Sequence, residues 1–285
     1  MSTFKSFAIA GIGNIGSYIA EELLKLKNEG RISEVLILTR SAPGSHFNFA
    51  SKGAQIVTVD YTSPYSLVSA LTGIDVLIST VGYGAFSLQE ELAKAAKSSK
   101  VKLFVPSEFG FAIQGRDLKD IPSIFHPKEI IRNKLFEMGL PYAIFYSGLF
   151  PDYVAMDSAF AKALGVDFAE HKVILGGSGE VPVSFTTRAD VARYLGHVLT
   201  TMKSHDIVWR IFRIEGERIS FKSLFQEYER RMGHRLEYCH RSEKSLNETV
   251  QRDPNDLTSI ILLEAERGEA VVGSPDTLAN ELWPE

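Results

Sequence analysis

The sequence predicts an α/β fold: a doubly wound parallel sheet with a smaller C-terminal part that covers a substrate. Three observations predict it. An apolar run ends in a glycine-rich turn near the N-terminus, Phe7-Ala8-Ile9-Ala10-Gly11-Ile12-Gly13-Asn14-Ile15-Gly16, and a helical pattern follows at once. Short apolar runs then alternate with helical stretches, which implies parallel strands joined by right-handed crossovers. This alternation stops after about Leu149, where the composition becomes mixed.

The first strand is Phe7–Ala10. Its turn reads G-x-G-x-x-G: Gly11 permits the tight turn, Gly13 lets backbone approach a pyrophosphate, and Gly16 lets the next helix, Gly16–Leu26, pack on the strand. Around Asn14 and Ile15 the helix start offers free N–H groups and the positive end of a dipole to phosphates. After a strand, before a helix and at the head of a repeating pattern, the motif is a dinucleotide-binding fingerprint. The predicted sheet is therefore of Rossmann type.

The second strand, Glu34–Leu38, ends in Thr39-Arg40-Ser41, with no carboxylate to bond a ribose 2′-hydroxyl. A guanidinium suits a 2′-phosphate through bidentate, charge-assisted bonds, and the two hydroxyls add donors, so the expected cofactor is NADPH/NADP. The third strand, Ala54–Val59, ends at Asp60. Two roles stay open for Asp60: meeting the adenine amino group, or capping the helix Pro64–Leu71. The fourth strand, Asp75–Ser79, runs into Thr80-Val81-Gly82, small residues at the strand end where doubly wound sheets bind ligands. Helix Ser87–Ser98 and the fifth strand Lys102–Val105 follow, then Ser107, Glu108 and Phe109, expected with Lys128 further on to border the cofactor. Glu108 has three open roles: orienting a lysine, holding a ribose, or satisfying N–H groups of its own turn. Helix Pro127–Met138 leads to the sixth strand, Tyr142–Tyr146.

Residues 1–149 are thus expected to form the NADP-binding part and residues 150–285 mainly the substrate-binding part. Helix Arg188–Leu199 and strand Val208–Ile214 place about 186–214 back on the sheet. Phe221–Met232 and Asn255–Ala265 read as helices, and the end of the chain as loop. Gly176-Gly177-Ser178-Gly179 reads first as a hairpin turn, with a mobile lid as the other reading.

Composition narrows the function. The 285 residues carry a formal net charge of −4, which leaves no footprint for nucleic acid or an anionic membrane. No run of about 18 apolar residues is present, and no signal-peptide pattern opens the chain, so the expected place is the cytoplasm. Cys239 is the one cysteine, and the seven histidines form no H-x-x-x-H pattern, so no metal site is expected. The expected partner is a small aromatic substrate, with a homodimer left open.

Short-chain dehydrogenases carry Tyr-x-x-x-Lys, yet no tyrosine here has lysine four residues on. Lys128 is the candidate proton donor, with a side chain that snorkels to solvent as the other reading. It follows His126-Pro127 at a helix start, and Ile131 and Leu135 share its face. A lysine facing inward at the positive end of a helix dipole loses proton affinity, which suits acid–base work near neutral pH. His126 reads as a helix-start residue, with a proton relay as the other role.

Four segments carry a family resemblance. Phe104-Val105-Pro106-Ser107-Glu108-Phe109-Gly110 resembles the P-S-E-F-G segment of the isoflavone reductase-like enzymes, in the NmrA-like branch of atypical short-chain dehydrogenases. Asp75–Gly82 is similar to that family's fourth strand, Lys128-Glu129-Ile130-Ile131-Arg132 to its K-x-x-I-R helix, and Leu140-Pro141-Tyr142 to the start of its sixth strand. Pinoresinol–lariciresinol and phenylcoumaran benzylic ether reductases are relatives. The resemblance implies an NADPH-dependent reductase with Lys128 as general acid/base. It also has departures. The turn is one residue shorter than the family's usual G-x-T-G-x-x-G, Asn133 replaces a second arginine, and the Gln114–Phe125 loop has its own sequence. Specificity does not carry over.

Aromatic residues crowd the segments expected around the nicotinamide: Tyr83, Phe86, Phe109, Phe111, Phe125, Tyr146, Phe150 and Tyr153, of which about half should face a ligand and the rest be core. Such a wall suits a planar or phenolic ligand. The expected activity is hydride transfer from NADPH to an aromatic, phenolic or conjugated small molecule. Two rivals keep the fold: a non-catalytic NADP(H) sensor that binds a partner protein, and a redox-neutral enzyme.

Overall fold

A computed structural model describes residues 4–40, 47–154, 161–162 and 164–283. The elements follow the predicted order: β1 (Ser6–Ala10), α1 (Asn14–Asn28), β2 (Glu34–Thr39), α2 (Phe47–Ser51), β3 (Gln55–Thr58), α3 (Pro64–Ala70), β4 (Val76–Ser79), α4 (Leu88–Ser98), β5 (Leu103–Val105), α5 (His126–Glu137) and β6 (Ala143–Tyr146). The first five strands form a parallel sheet in the order β3-β2-β1-β4-β5. A bridge between Phe104 and Tyr142 sets β6 beside β5, and β10 (Arg210–Arg213) pairs parallel to β6. The fold is therefore a doubly wound α/β sheet of Rossmann type.

The sheet is covered on both faces, which is why its strands read as unbroken apolar runs. Every residue of β1 is buried. Phe7 and Ile9 join one core with α1 and helix Arg188–Thr201. Ala8 and Ala10 join the opposite core with α3, α4 and α5. The strand's period of two thus sorts its side chains between two helical layers.

Reversal of strand order between β1 and β4 opens a crevice at the carboxyl ends of these strands, where ligands of such sheets bind. The remaining strands are β7 (Val166–Asp167), β8 (Lys172–Gly176), β9 (Pro182–Phe185), β11 (Glu217–Ser220) and β12 (Glu237–Arg241). They form two small sheets, β11-β9 and β12-β8-β7, around a third core that includes helix Leu257–Glu266. A bridge between Leu149 and Phe185 ties them to the main body.

The hairpin expected at Gly176–Gly179 is corrected: β8 and β9 flank the turn but pair in different sheets. The turn packs on helix Leu257–Glu266, since a Cβ at Gly177 would fall 2.1 Å from the Glu266 side chain. It lines none of the crevice described below. Helix Asn255–Ala265 begins at Leu257, because the Asp256 carboxylate accepts the Ser259 N–H at 2.7 Å and fixes the start.

Candidate active site

The glycine turn is built against the end of β4. Gly11 takes φ +105°, open to glycine at little cost. Thr80 donates its hydroxyl to the Gly11 and Ala10 carbonyls. Gly16 sits so close that a Cβ would lie 2.1 Å from the Gly11 carbonyl oxygen and 2.5 Å from Thr80 Oγ1. Gly13 is the N-cap of α1, with no side-chain cap and no acidic residue in the first turn. The first N–H groups of a 15-residue helix therefore face the crevice without a protein acceptor among those side chains.

Two spaces share this turn as part of their lining. A groove of about 300 Å³ is lined by Gly11, Gly13, Thr39, Arg40, Tyr61, Thr80, Val81 and Gly82 among others. A cavity of about 230 Å³ shares Gly13, Thr80, Val81 and Gly82 and continues past Asn14 and Ile15 to Ser107, Glu108, Phe109 and Lys128. Its far wall is Tyr83, Phe86, Phe111, Ile113, Phe125, Leu149, Phe150 and Ile261.

Most of the expected site residues therefore come together. Thr39 and Arg40 end β2 at the groove, while Ser41 lies outside the described residues. Asp60 is absent from the lining. Its carboxylate folds back to accept the Thr62 N–H at 2.8 Å and the Thr62 hydroxyl at 2.6 Å. Nor does it cap α3, whose N-cap is Ser63. The neighbour Tyr61 faces the groove instead. Ser107 is fixed by two bonds, its hydroxyl to the Val81 carbonyl at 2.9 Å and its N–H to Gln89 Oε1 at 2.8 Å. The Asn14 side chain accepts from Arg188 at 2.6 Å. Tyr153 lies on the short helix Pro151–Val154, and its side chain is outside what is described. His126 is a helix-start residue, its Nε2 set 3.0 Å from the carbonyls of Leu118 and Ile121.

Lys128 projects from the first turn of α5 on the face it shares with Ile131, Arg132 and Leu135, all buried. Its side chain is 9% exposed. Nζ donates to the Glu108 carbonyl at 2.8 Å and lies 3.7 Å from Glu108 Oε2. The rings of Phe86 and Phe125 stand 5.8 and 5.7 Å from it. Burial holds this ammonium below the usual lysine range, with Glu108 opposing the shift and Arg132 adding to it. Burial likewise raises the Glu108 carboxyl, against the pull of the two cations.

Sequence reasoning assigned no role to Arg132, although its spacing of four from Lys128 puts both on one helix face. It also missed Ile261, which reaches the cavity from helix Leu257–Glu266 and has no local signal.

The chain and its fold are similar to those of known proteins. A tobacco (Nicotiana tabacum) protein named as an isoflavone reductase homolog is 29% identical over 89% of this chain and 82% of its own. A pear (Pyrus communis) phenylcoumaran benzylic ether reductase is also 29% identical, over the same shares. The solved complex of grapevine (Vitis vinifera) leucoanthocyanidin reductase with NADPH superposes with a TM-score of 0.81 at 21% identity, covering 98% of this chain and 94% of that one. The description of the NmrA-like family matches residues 7–285, nearly the whole chain, which belongs to that family.

Proposed function

We propose that the protein is an NADPH-dependent reductase of the isoflavone reductase type, acting on a neutral aromatic or conjugated small molecule, with Lys128 as the proton donor. One observation carries this reading: the buried Lys128 ammonium stands in an aromatic-walled cavity that opens directly onto the glycine turn. The named reductases among its relatives support the same activity.

The residues present fit the cofactor. An added Cβ at Gly13 or Gly82 would meet nothing within 4 Å, so backbone there is bare toward the crevice. The N–H groups at the start of α1 would hold the pyrophosphate, and Arg40 with Thr39 the 2′-phosphate. Thr80–Gly82 and Ser107–Phe109 would flank the nicotinamide. When bound, NADPH supplies a hydride.

The protein's own part is the proton. An oxygen gaining negative charge in this apolar cavity has few other donors, so an N–H bond of Lys128 breaks as the O–H bond forms and the lysine is left neutral. Phe86, Phe125 and Phe111 exclude water, which strengthens that donor's effect on the developing charge. The protonated lysine is the active form. Reductive turnover is therefore expected to fall as pH rises through the lowered value of Lys128, which lies below the figure of about 10.4 for a free lysine. A rate that stays level until pH approaches that figure would remove the acid role.

Arg40→Ala is expected to weaken NADPH binding by about 10- to 100-fold, the worth of a charge-assisted phosphate contact, while NADH binding changes little. Titration of both cofactors checks this, and equal losses for the two would place the 2′-phosphate elsewhere. The activity itself is tested with NADPH deuterated at the hydride position, each epimer in turn, given with phenylpropanoid ethers, isoflavonoids, enones and aromatic aldehydes. Deuterium in a product, read by mass spectrometry, supports the reductase. Tight NADP-selective binding without transfer to any of them favours a sensor or a redox-neutral enzyme.

A further inference from the structure

The buried charges around Lys128 are arranged in a way that the proton-donor reading does not require. Glu108 is 1% exposed and meets two cations, Lys128 at 3.7 Å through Oε2 and Arg132 at 3.3 Å through Oε1. Arg132, 4% exposed in its side chain, is held by three groups. It donates to the Tyr146 hydroxyl at 2.6 Å and to Glu108, and it pairs with Glu129 one turn back on α5.

We propose that Arg132 is a positioning residue that makes the Lys128 proton transferable, by holding the Glu108 carboxylate charged and compensated whether or not the lysine carries its proton. This rests on the reading of Lys128 as the proton donor.

Buried in a region of low dielectric, these charges must balance one another. With Arg132 present, loss of the Lys128 proton leaves Glu108 beside a guanidinium that it shares with Glu129, whose side chain is 22% exposed and partly solvated, so the fully buried carboxylate keeps a cation. Without Arg132, the same loss would leave a buried carboxylate with no cation, a costly state. The proton would then be held more tightly. Without the Glu108 charge, the protonated lysine would lose its counter-ion and sit beside the guanidinium, so the proton would be lost more easily. A lysine beside a second cation in an apolar pocket is a recognised way to keep the amine reactive near neutral pH.

The other groups facing this cluster are accounted for. On α5, Glu129 is taken by Arg132, and the His126 ring is turned to the carbonyls of Leu118 and Ile121. On β6, the Tyr146 hydroxyl accepts from Arg132, with the Arg213 guanidinium over its ring at 5.6 Å. The Tyr83 phenol stands on the cavity wall.

The test reads the lysine directly, apart from turnover. Protein made with lysine labelled with carbon-13 at Cε is titrated by NMR, and the Lys128 signal is the one missing in Lys128→Met. Arg132→Met is expected to move its titration up, and Glu108→Gln to move it down, each by about one pH unit or more, as for opposite or like charges within a few ångströms. Arg132→Lys keeps the charge and should restore titration close to wild type. Loss of packing alone would give Arg132→Met and Arg132→Lys the same shift. Either that result, or a shift of the wrong sign in Arg132→Met or Glu108→Gln, would overturn the proposal. If Arg132→Met does not fold, Arg132→Gln takes its place, with the same upward shift expected and an unchanged or downward titration overturning the proposal. An absence of deuterium transfer with these opposite shifts intact would count against the reductase reading and leave the charge arrangement standing.

Discussion

Lys128→Met is expected to lower reductive turnover by about 100- to 10,000-fold, the usual worth of a positioned general acid. Methionine keeps the apolar stem between Phe86 and Phe125 and removes the proton donor. NADPH affinity should stay within a few-fold, because the groove residues that would hold its phosphates are untouched. Stability should hold or rise. The ammonium is buried at a desolvation cost, and its carboxylate neighbour Glu108 keeps Arg132 as a partner. Single-turnover kinetics, a binding titration and a thermal melt separate these outcomes. A folded variant that binds NADPH and turns over like wild type would end the acid role. A loss confined to cofactor affinity would make Lys128 a binding residue.

The α/β core was readable because each strand carries its own signal. Phe7–Ala10 and Glu34–Leu38 are apolar runs closed by a turn or a polar residue, and the structure lengthens each by one residue only. Lys128 was readable because its neighbours at three and seven residues on are apolar, and both prove buried on its face. The small C-terminal sheets were not readable. β12, Glu-Tyr-Cys-His-Arg, has exposed and half-exposed positions and no alternation of apolar with polar residues. It becomes a strand by pairing with β8, more than sixty residues earlier in the chain. A local bond decided Asp60 and Tyr61: the carboxylate closes a turn with Thr62, two residues on, and the side chain between them faces the groove. Arg132 was visible as part of a motif, but its charge partner Glu108 lies on another segment, and only the fold brings the two together.

Gly16→Ala and Gly13→Ala should separate two kinds of glycine within one motif. At Gly16 the new methyl would lie 2.1 Å from the Gly11 carbonyl oxygen and 2.5 Å from Thr80 Oγ1. The first of these is backbone, and the second is bonded to two backbone carbonyls, so neither can yield cheaply. Helix α1 must then shift away from β1 and β4, which costs about 1–3 kcal/mol of stability by overpacking and deforms the turn. NADPH binding should fall by about 100-fold or more, since about 2.7 kcal/mol of lost contact suffices. At Gly13 the added methyl meets nothing in the protein within 4 Å. Its melting temperature should fall only slightly, since an N-cap prefers glycine to alanine while the unfolded chain loses freedom. Yet the methyl would occupy the approach to the free N–H groups of α1, so NADPH affinity should fall far more than stability does. Melting curves and NADPH titrations on both variants decide the matter. Equal destabilisation would make Gly13 a packing residue like Gly16. Undiminished affinity in Gly13→Ala would move the pyrophosphate off the helix start, and with it the placement of the whole cofactor along the crevice.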